Sequence, residues 1–322
     1  MLTSVLRMPE NIMAETDEQR GKLMTVLVAA LEALEKPHTK VRLDFSRTAK
    51  LFPGGTLVLL AYVELMLEFF PGRLSARCTP HSLAAQLLRH FGVADALRID
   101  PASSVPRHPS VLNWRYVTGS TADGAKVSEL IDSFRRVTTD EMQSGLYDVL
   151  SEALTNVRHH AYAGAENFMP ESLRRWWIFA SYREPTNSGA GNLYIAVYDL
   201  GVGIQNSMRE RLRRGELLLS AQDEIWRLVG LKKSRKLTKL LLERAVEHSR
   251  SRTGLRHRGR GLPEMRDFVM ATESGRMHII SGGAQYSYSA GKMKGDTIVC
   301  NTRFRGTLLL WGIPLQPKES AL

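Results

Sequence analysis

The sequence is poor in cysteine and lacks a long uncharged apolar run. Its 322 residues include two cysteines, Cys78 and Cys300, which stand far apart and form no CxxC pair. This spacing excludes a disulfide framework and a cysteine-based metal site. The most apolar stretch, residues 56–70, is short for a bilayer span and contains Glu64 and Glu68. It therefore predicts a buried helix rather than a membrane helix.

Three further signals are missing. The first residues lack the apolar core of a secretory signal, so we expect a cytoplasmic protein without membrane contact. No GxxxxGK[ST] loop occurs, which excludes a P-loop nucleotide site. A Rossmann fingerprint also fails, because Asn206 stands where the third glycine after Gly201 and Gly203 is required.

The positive charge of the chain is concentrated in one segment. The formal net charge is +11, and residues 205–260 alone contribute +10. An excess of this size suggests nucleic acid, an anionic membrane or a phosphorylated ligand as partner. The segment contains one aromatic residue, Trp226, so stacking on single-stranded bases is not supported.

Alternating strand and helix patterns predict an α/β chain of two domains. Residues 100–110 contain three prolines and mark the boundary. We expect a first domain at 1–100, a linker with a first strand at 101–118, and a second domain at 119–322. The predicted helices are Leu23–Leu34, 56–70, Ser82–Leu97 and about Asp140–Ala161. The predicted strands are Val41–Phe45, Leu74–Cys78, Val111–Val117, Trp176–Tyr182, Leu193–Tyr198, Met277–Ile280, Asp296–Phe304 and Thr307–Trp311.

The first motif lies in the long predicted helix. Glu152, Asn156 and His160 are four residues apart and therefore share one helix face. The Asn156 oxygen could bind Mg²⁺, and Glu152 could polarise or deprotonate an attacking water or hydroxyl. Polar residues with this spacing are more commonly a solvated face, and that alternative stays open.

The second motif follows a predicted strand, where IAVYDLGVGI places Asp199 before Gly201 and Gly203. An aspartate at a strand end can accept a hydrogen bond from an exocyclic amine such as that of adenine. The glycines allow a sharp turn and close approach of a ligand. The alternative is an ordinary turn with an Asx bend.

The third motif is the entry into a helix that starts near Leu262, where Gly259 and Gly261 precede Pro263. A glycine-rich helix N-terminus presents free N–H groups and is suited to phosphate. A fourth signal is Gly306-Thr307 before the last apolar strand. Each glycine pair alone is equally typical of plain turn chemistry.

Taken in order, E-x-x-x-N, D-x-G-x-G-I, G-x-G-L and G-T resemble the GHKL ATPase superfamily over about residues 120–314. The resemblance implies a Bergerat-type α+β sandwich, a mixed sheet with helices on one face, that binds ATP and Mg²⁺. It implies a lid at about 205–258. It implies Glu152 as general base, Asn156 as Mg²⁺ ligand, Asp199 as adenine contact with Gly201 and Gly203 beside it, and Gly259, Gly261, Leu262 and Thr307 as further nucleotide-binding residues. Arg258 and Arg260, next to this glycine pair, are expected to contact the phosphates through their charge.

The first domain resembles a STAS-like domain, the fold of anti-sigma-factor antagonists, through VRLDFSRTAKLFPGGTLVLLAY. That resemblance places Thr56 near the position of a phosphoacceptor. The alternative is an ordinary residue at a helix N-terminus.

We therefore expect an ATPase or a serine/threonine kinase of the GHKL type that regulates a protein partner through the STAS-like domain or the lid. A homodimer stays open. The alternative is a non-catalytic, nucleotide-sensing scaffold or a DNA-binding regulator that uses the basic segment. The basic residues themselves have three interpretations: a solvated helical face, neutralisation of triphosphate by Arg256, Arg258 and Arg260, or contact with nucleic acid phosphates.

Overall fold

The structure is a computed structural model that describes residues 2–163, 169–185, 190–213, 235–247 and 261–315. The chain divides into two units, Met1–Tyr116 and Val117–Leu322, and the division falls inside the segment 101–118. Each unit has its own sheet, parallel in the first and with antiparallel pairs in the second, so the expected mixed α/β class is confirmed. Within the described residues, no helix is long and apolar enough to cross a membrane.

The first unit is built on a three-stranded parallel sheet of order β1-β3-β5. Parallel neighbours need a long crossover, and helices supply it here. A short parallel pair, β2 with β4, accompanies the sheet. The elements are β1 (Leu2–Arg7), β2 (Asn11–Ile12), α1 (Asp17–Glu35), β3 (Thr39–Asp44), β4 (Lys50–Leu51), α2 (Pro53–Phe69), β5 (Leu74–Arg77), α3 (Leu83–His90) and α4 (Pro109–Leu112).

The start of α2 is tightly packed. Pro53 occupies the first turn, and a Cβ on Gly55 would lie 2.5 Å from the backbone nitrogen of Met13. The Glu15 carboxylate accepts hydrogen bonds from the backbone of Ala14 and Gly54, while burial raises its pKa. Thr56, the phosphoacceptor candidate, is 2% exposed. Modification of its hydroxyl would therefore require this end of α2 to open.

Before residue 120, two predicted elements differ from the structure and one strand was not predicted. The helix expected at Ser82–Leu97 ends at His90, because Gly92 adopts a left-handed φ of 77°. The strand expected at Val111–Val117 is replaced by α4 and a strand that begins at Trp114. Strand β1 was not predicted, because its sequence, LTSVLR, shows no regular alternation of apolar and polar residues.

The second unit contains a five-stranded sheet of order β6-β7-β8-β10-β9. The pairs β7/β8, β8/β10 and β10/β9 are antiparallel. Fully buried aromatic side chains, among them Trp177, Tyr198 and Tyr286, form its core. The elements are β6 (Trp114–Gly119), α5 (Gly124–Asp132), α6 (Asp140–Asn156), β7 (Trp176–Arg183), β8 (Gly191–Asp199), α7 (Ile204–Arg213), α8 (Arg235–Glu247), α9 (Gly261–Met270), β9 (Arg276–Ser289) and β10 (Asp296–Leu315).

Two elements of the second unit differ in detail from the prediction. The strands expected at Asp296–Phe304 and Thr307–Trp311 are one strand, β10, in which register shifts next to Gly306 absorb the irregularity. The long helix is α-helical up to Asn156 and continues as a π-helical turn over Val157–Ala161.

Candidate functional site

Asp199 ends strand β8 and begins a glycine-containing loop. Its side chain is 5% exposed, and its Oδ1 accepts a hydrogen bond of 2.8 Å from the Gly201 N–H. This is the Asx bend that the sequence allowed. Gly203 has a φ of 81°, which favours glycine, and the next residue starts α7.

The end of the π-helical turn holds this loop. The Val202 N–H donates to the Ala161 carbonyl at 2.7 Å, and the Leu200 N–H donates to the Tyr162 hydroxyl at 3.1 Å. A Cβ on Gly201 would overlap the Ala161 carbonyl. The loop can therefore approach the helix only because residue 201 is glycine.

The π-helical turn also connects the loop to the first motif. Glu152 and Asn156 lie in the last turns of α6, and the Asn156 Nδ2 donates to the Glu152 Oε1 at 3.5 Å. The turn that follows has i→i+5 hydrogen bonds, a rare arrangement that is frequent at functional sites. One continuous helix thus carries both motif residues and the groups that hold the Asp199 loop.

A row of residues crosses the sheet at the same level as Asp199. Thr307 on β10 pairs with Asp199 on one side and with Ser281 on β9 on the other, and Asp199 pairs with Trp176 on β7. Directly paired residues have their side chains on the same face of a sheet. The G-T motif and the aspartate motif are therefore immediate neighbours.

Gly306 allows strand β10 to approach the backbone of Asp199 closely. Its φ is 79°, and a Cβ there would overlap the carbonyl oxygen of Asp199. Behind it, the Ser281 hydroxyl lies 3.0 Å from the Gly306 carbonyl and 3.3 Å from the Thr307 hydroxyl. Two of the four sequence motifs, which lie far apart in the chain, are thus joined by direct packing.

Helix α9 brings Gly261 to Glu152. A Cβ on Gly261 would overlap the Glu152 carboxylate, and a Cβ on Gly145 would lie 2.7 Å from the Phe268 ring. The contacts are seven residues apart on each helix and in opposite order, so α6 and α9 run antiparallel. The carboxylate of Glu152 therefore lies against the first residue of α9.

Both motif carboxylates have perturbed acidities. Burial raises the pKa of Asp199 to about 7, against the opposing effect of backbone hydrogen bonds from Gly201 and Thr307. Burial and the neighbouring Glu264 carboxylate raise the pKa of Glu152. Raised carboxylate pKa values are typical of functional sites, although structural clusters also produce them.

Comparison with known proteins does not assign the chain to a family. No protein-family model matches the chain, and no curated protein matches it.

The third sequence motif, Gly259–Leu262, lies only partly within the described residues. Gly261 and the half-buried Leu262 form the start of α9. Arg258, Gly259 and Arg260 lie outside the described residues, as does most of the segment predicted as a lid. No group of three or more His, Cys, Asp and Glu side chains that could hold a metal occurs in the described part of the chain.

A charged network anchors the end of α8 beside the site. The Glu247 carboxylate accepts hydrogen bonds from the Tyr286 hydroxyl at 2.6 Å and from the Gly295 N–H at 3.3 Å, and it pairs with Arg266 on α9. These bonds lower the pKa of Glu247 in spite of its burial. The network connects α8, α9 and the β9–β10 hairpin.

Sequence reasoning missed several residues at this site. Ala161 and Tyr162 hold the aspartate loop, Ser281 contacts three segments, and Gln205 donates to the Ser281 carbonyl at 2.7 Å. The available signal was Gly282-Gly283, since glycines inside a strand pattern often mark a close backbone approach.

Proposed function

We propose that the unit Val117–Leu322 binds ATP together with Mg²⁺, as the resemblance to GHKL ATPases implies, and that its sheet and helices form a Bergerat-type sandwich. The observation that supports this best is the convergence of the aspartate loop, the G-T pair and the helix of Glu152 and Asn156. These segments lie far apart in the sequence. Packing of the fold alone does not explain why all of them carry polar residues at the place where they meet.

Asp199 is suited to the base of the nucleotide. Its carboxylate is buried beside Thr307, and the Gly201 N–H fixes its orientation. An ionised, buried carboxylate is costly unless a donor satisfies it, and an exocyclic amine is such a donor. An exocyclic amine would add a further donor to the Gly201 and Thr307 N–H groups that already contact this carboxylate.

Asn156 and Glu152 are suited to the phosphate end. The hydrogen bond to Glu152 uses the Asn156 amide nitrogen, which leaves the amide oxygen available as a hard ligand for Mg²⁺. Mg²⁺ commonly keeps water and substrate phosphates as its other ligands, so one protein oxygen fits it. When bound, ATP and Mg²⁺ supply the transferable phosphoryl group and its charge neutralisation.

Glu152 then acts as the base of the reaction. Its raised pKa makes its carboxylate a stronger proton acceptor than an ordinary glutamate. It takes the proton from a water molecule, giving hydrolysis, or from a protein hydroxyl, giving phosphorylation of a partner. Gly261 leaves the space that the carboxylate occupies next to α9.

For the first unit we propose a STAS-like regulatory role. Its parallel sheet and the Asp44-Phe45-Ser46 end of β3 support this, with the Ser46 N–H donating to the Asp44 Oδ1 at 3.0 Å. The buried Thr56 argues for a partner that recognises the surface rather than for phosphorylation at that residue.

Glu152→Gln tests the catalytic assignment. We expect Mg-ATP affinity within about threefold of the parent and phosphate release reduced by at least about a hundredfold, since removal of a general base costs about that much. Calorimetry measures binding and a phosphate assay measures turnover. Asp148→Asn, an exposed change on the same helix, is the matched control. Equal turnover in Glu152→Gln would remove the assigned role. Absence of ATP binding in the parent, with salt-dependent binding to duplex DNA instead, would favour the DNA-binding alternative.

A further inference from the structure

Ser281 makes several hydrogen bonds at this site, although no sequence motif identified it. Its hydroxyl donates to the Gly306 carbonyl at 3.0 Å and accepts from the Ile204 N–H at 2.9 Å. It also lies 3.3 Å from the Thr307 hydroxyl. The side chain is fully buried, so it acts on a ligand only through its neighbours.

The hydrogen-bonding capacity of a serine determines the direction of the last contact. A serine hydroxyl has one proton and two acceptor positions. The Gly306 carbonyl can only accept, so it takes the proton of Ser281. The Ile204 N–H can only donate, so it occupies one acceptor position. The Ser281–Thr307 contact is then favourable only if Thr307 donates its own proton.

This arrangement fixes the direction of the Thr307 hydroxyl proton. With its proton directed at Ser281, the hydroxyl presents only lone pairs to other groups. Thr307 and Asp199 are directly paired across β10 and β8, so their side chains share one face of the sheet. An ionised Asp199 is also an acceptor. A ligand that contacts both side chains therefore meets two acceptors and must supply donors.

We propose that Ser281 is a positioning residue that sets base specificity: by receiving the Thr307 proton, it makes the site select a base with an exocyclic amino group, such as adenine, over one with a carbonyl oxygen at that position. This rests on the proposed nucleotide-binding function and adds to it a determinant of substrate class. The serine achieves this without touching the base.

A purely structural role of Ser281 predicts a different outcome. Its hydroxyl connects the Asp199 loop, through Ile204, with the Gly306 turn. Removal of such a connection would weaken all nucleotides alike. Removal of the constraint on Thr307 would instead allow the threonine hydroxyl to rotate and donate to a carbonyl oxygen, which changes the ratio of affinities.

The test measures the affinities of the full-length chain for Mg-ATP and Mg-ITP by calorimetry. ITP replaces the 6-amino group by an oxygen. We expect the parent to prefer ATP, and Ser281→Ala to reduce that preference by about tenfold to a hundredfold, the range expected for one mispaired buried group. Thr307→Val should reduce the preference similarly. In the Thr307→Val background, Ser281→Ala should have no further effect on the ratio.

The controls separate the two proposals. Ser287→Ala, on the same strand but hydrogen-bonded to His278, should keep the parental ratio. An unchanged ATP-to-ITP ratio in both Ser281→Ala and Thr307→Val would overturn the role of Ser281 while leaving ATP binding intact. An effect of Ser281→Ala that persists in the Thr307→Val background would also overturn it. If the parent binds neither nucleotide, the proposed function itself fails.

Discussion

Asp199→Asn should make the ligand-free protein more stable at neutral pH, although it removes the proposed contact to the base. Burial raises the pKa of this carboxyl from 3.8 to about 7. The folded state therefore binds the proton more tightly than the unfolded state. The stability that this tighter proton binding contributes is complete below about pH 4 and is lost as the pH rises to 7. Asparagine has no proton to lose, so the variant escapes this loss.

The magnitude follows from the size of the shift. Each pKa unit corresponds to about 1.4 kcal/mol, so a shift of about three units corresponds to about 4 kcal/mol. The difference in unfolding free energy between variant and parent should grow by up to about 4 kcal/mol from pH 4 to pH 7 and stay level above it. The asparagine amide cannot accept every backbone N–H that the carboxylate accepts, which offsets part of the gain.

Urea unfolding over a series of pH values measures this difference. Tryptophan fluorescence reports on the second unit, because four of the five tryptophans lie at or after Trp176. Asp148→Asn is the exposed control and should follow the parent at every pH. A constant difference between Asp199→Asn and the parent across the series would refute the electrostatic argument. The same variant should bind Mg-ATP at least about tenfold more weakly, because a buried acceptor of the base is lost.

Two further substitutions test the packing around the site. Gly201→Ala places a Cβ on the Ala161 carbonyl and should cost about 2 kcal/mol or more and weaken ATP binding, whereas parental stability by urea unfolding would show that the loop need not approach the helix. Glu247→Gln removes the charge that pairs with Arg266, which keeps its contact with the more exposed Asp267, and should cost about 2 kcal/mol at pH 7. Because folding lowers the pKa of Glu247, that cost should shrink in acid as the parental carboxylate becomes protonated; a cost independent of pH would contradict it.

Much of the site-bearing framework could be predicted from local pattern. The helix of Glu152, the strand that ends at Asp199 and the start of α9 at Gly261 all carry strong local signals, and each is the expected kind of element. That these elements meet at one site is not encoded in any of the local patterns. It is predicted only by the order of the motifs and by the family resemblance. The roles of these residues in ATP binding stay predictions.

Other features depend on tertiary contacts that no local pattern encodes. The π-helical turn has no sequence signature of its own, and it is held by bonds to Leu200 and Val202. Ser281 gains its importance from cross-strand pairing with Thr307, which requires the register of β9. Helix α3 is a case where the local pattern misleads. The apolar pattern continues beyond Gly92, but this glycine ends the helix, so the prediction was too long.

The π-helical turn also determines how this part of the chain tolerates changes in length. Hydrogen bonds of the i→i+5 type accommodate one residue more than an α-helical turn does. A chain one residue shorter between Val157 and Ala161 would close as an ordinary α-helix and rotate Ala161 and Tyr162 away from the loop that they hold. Because Arg158 and His159 are exposed, we expect side-chain replacements there to leave that geometry intact. Here the number of residues, more than their identity, is what the fold requires.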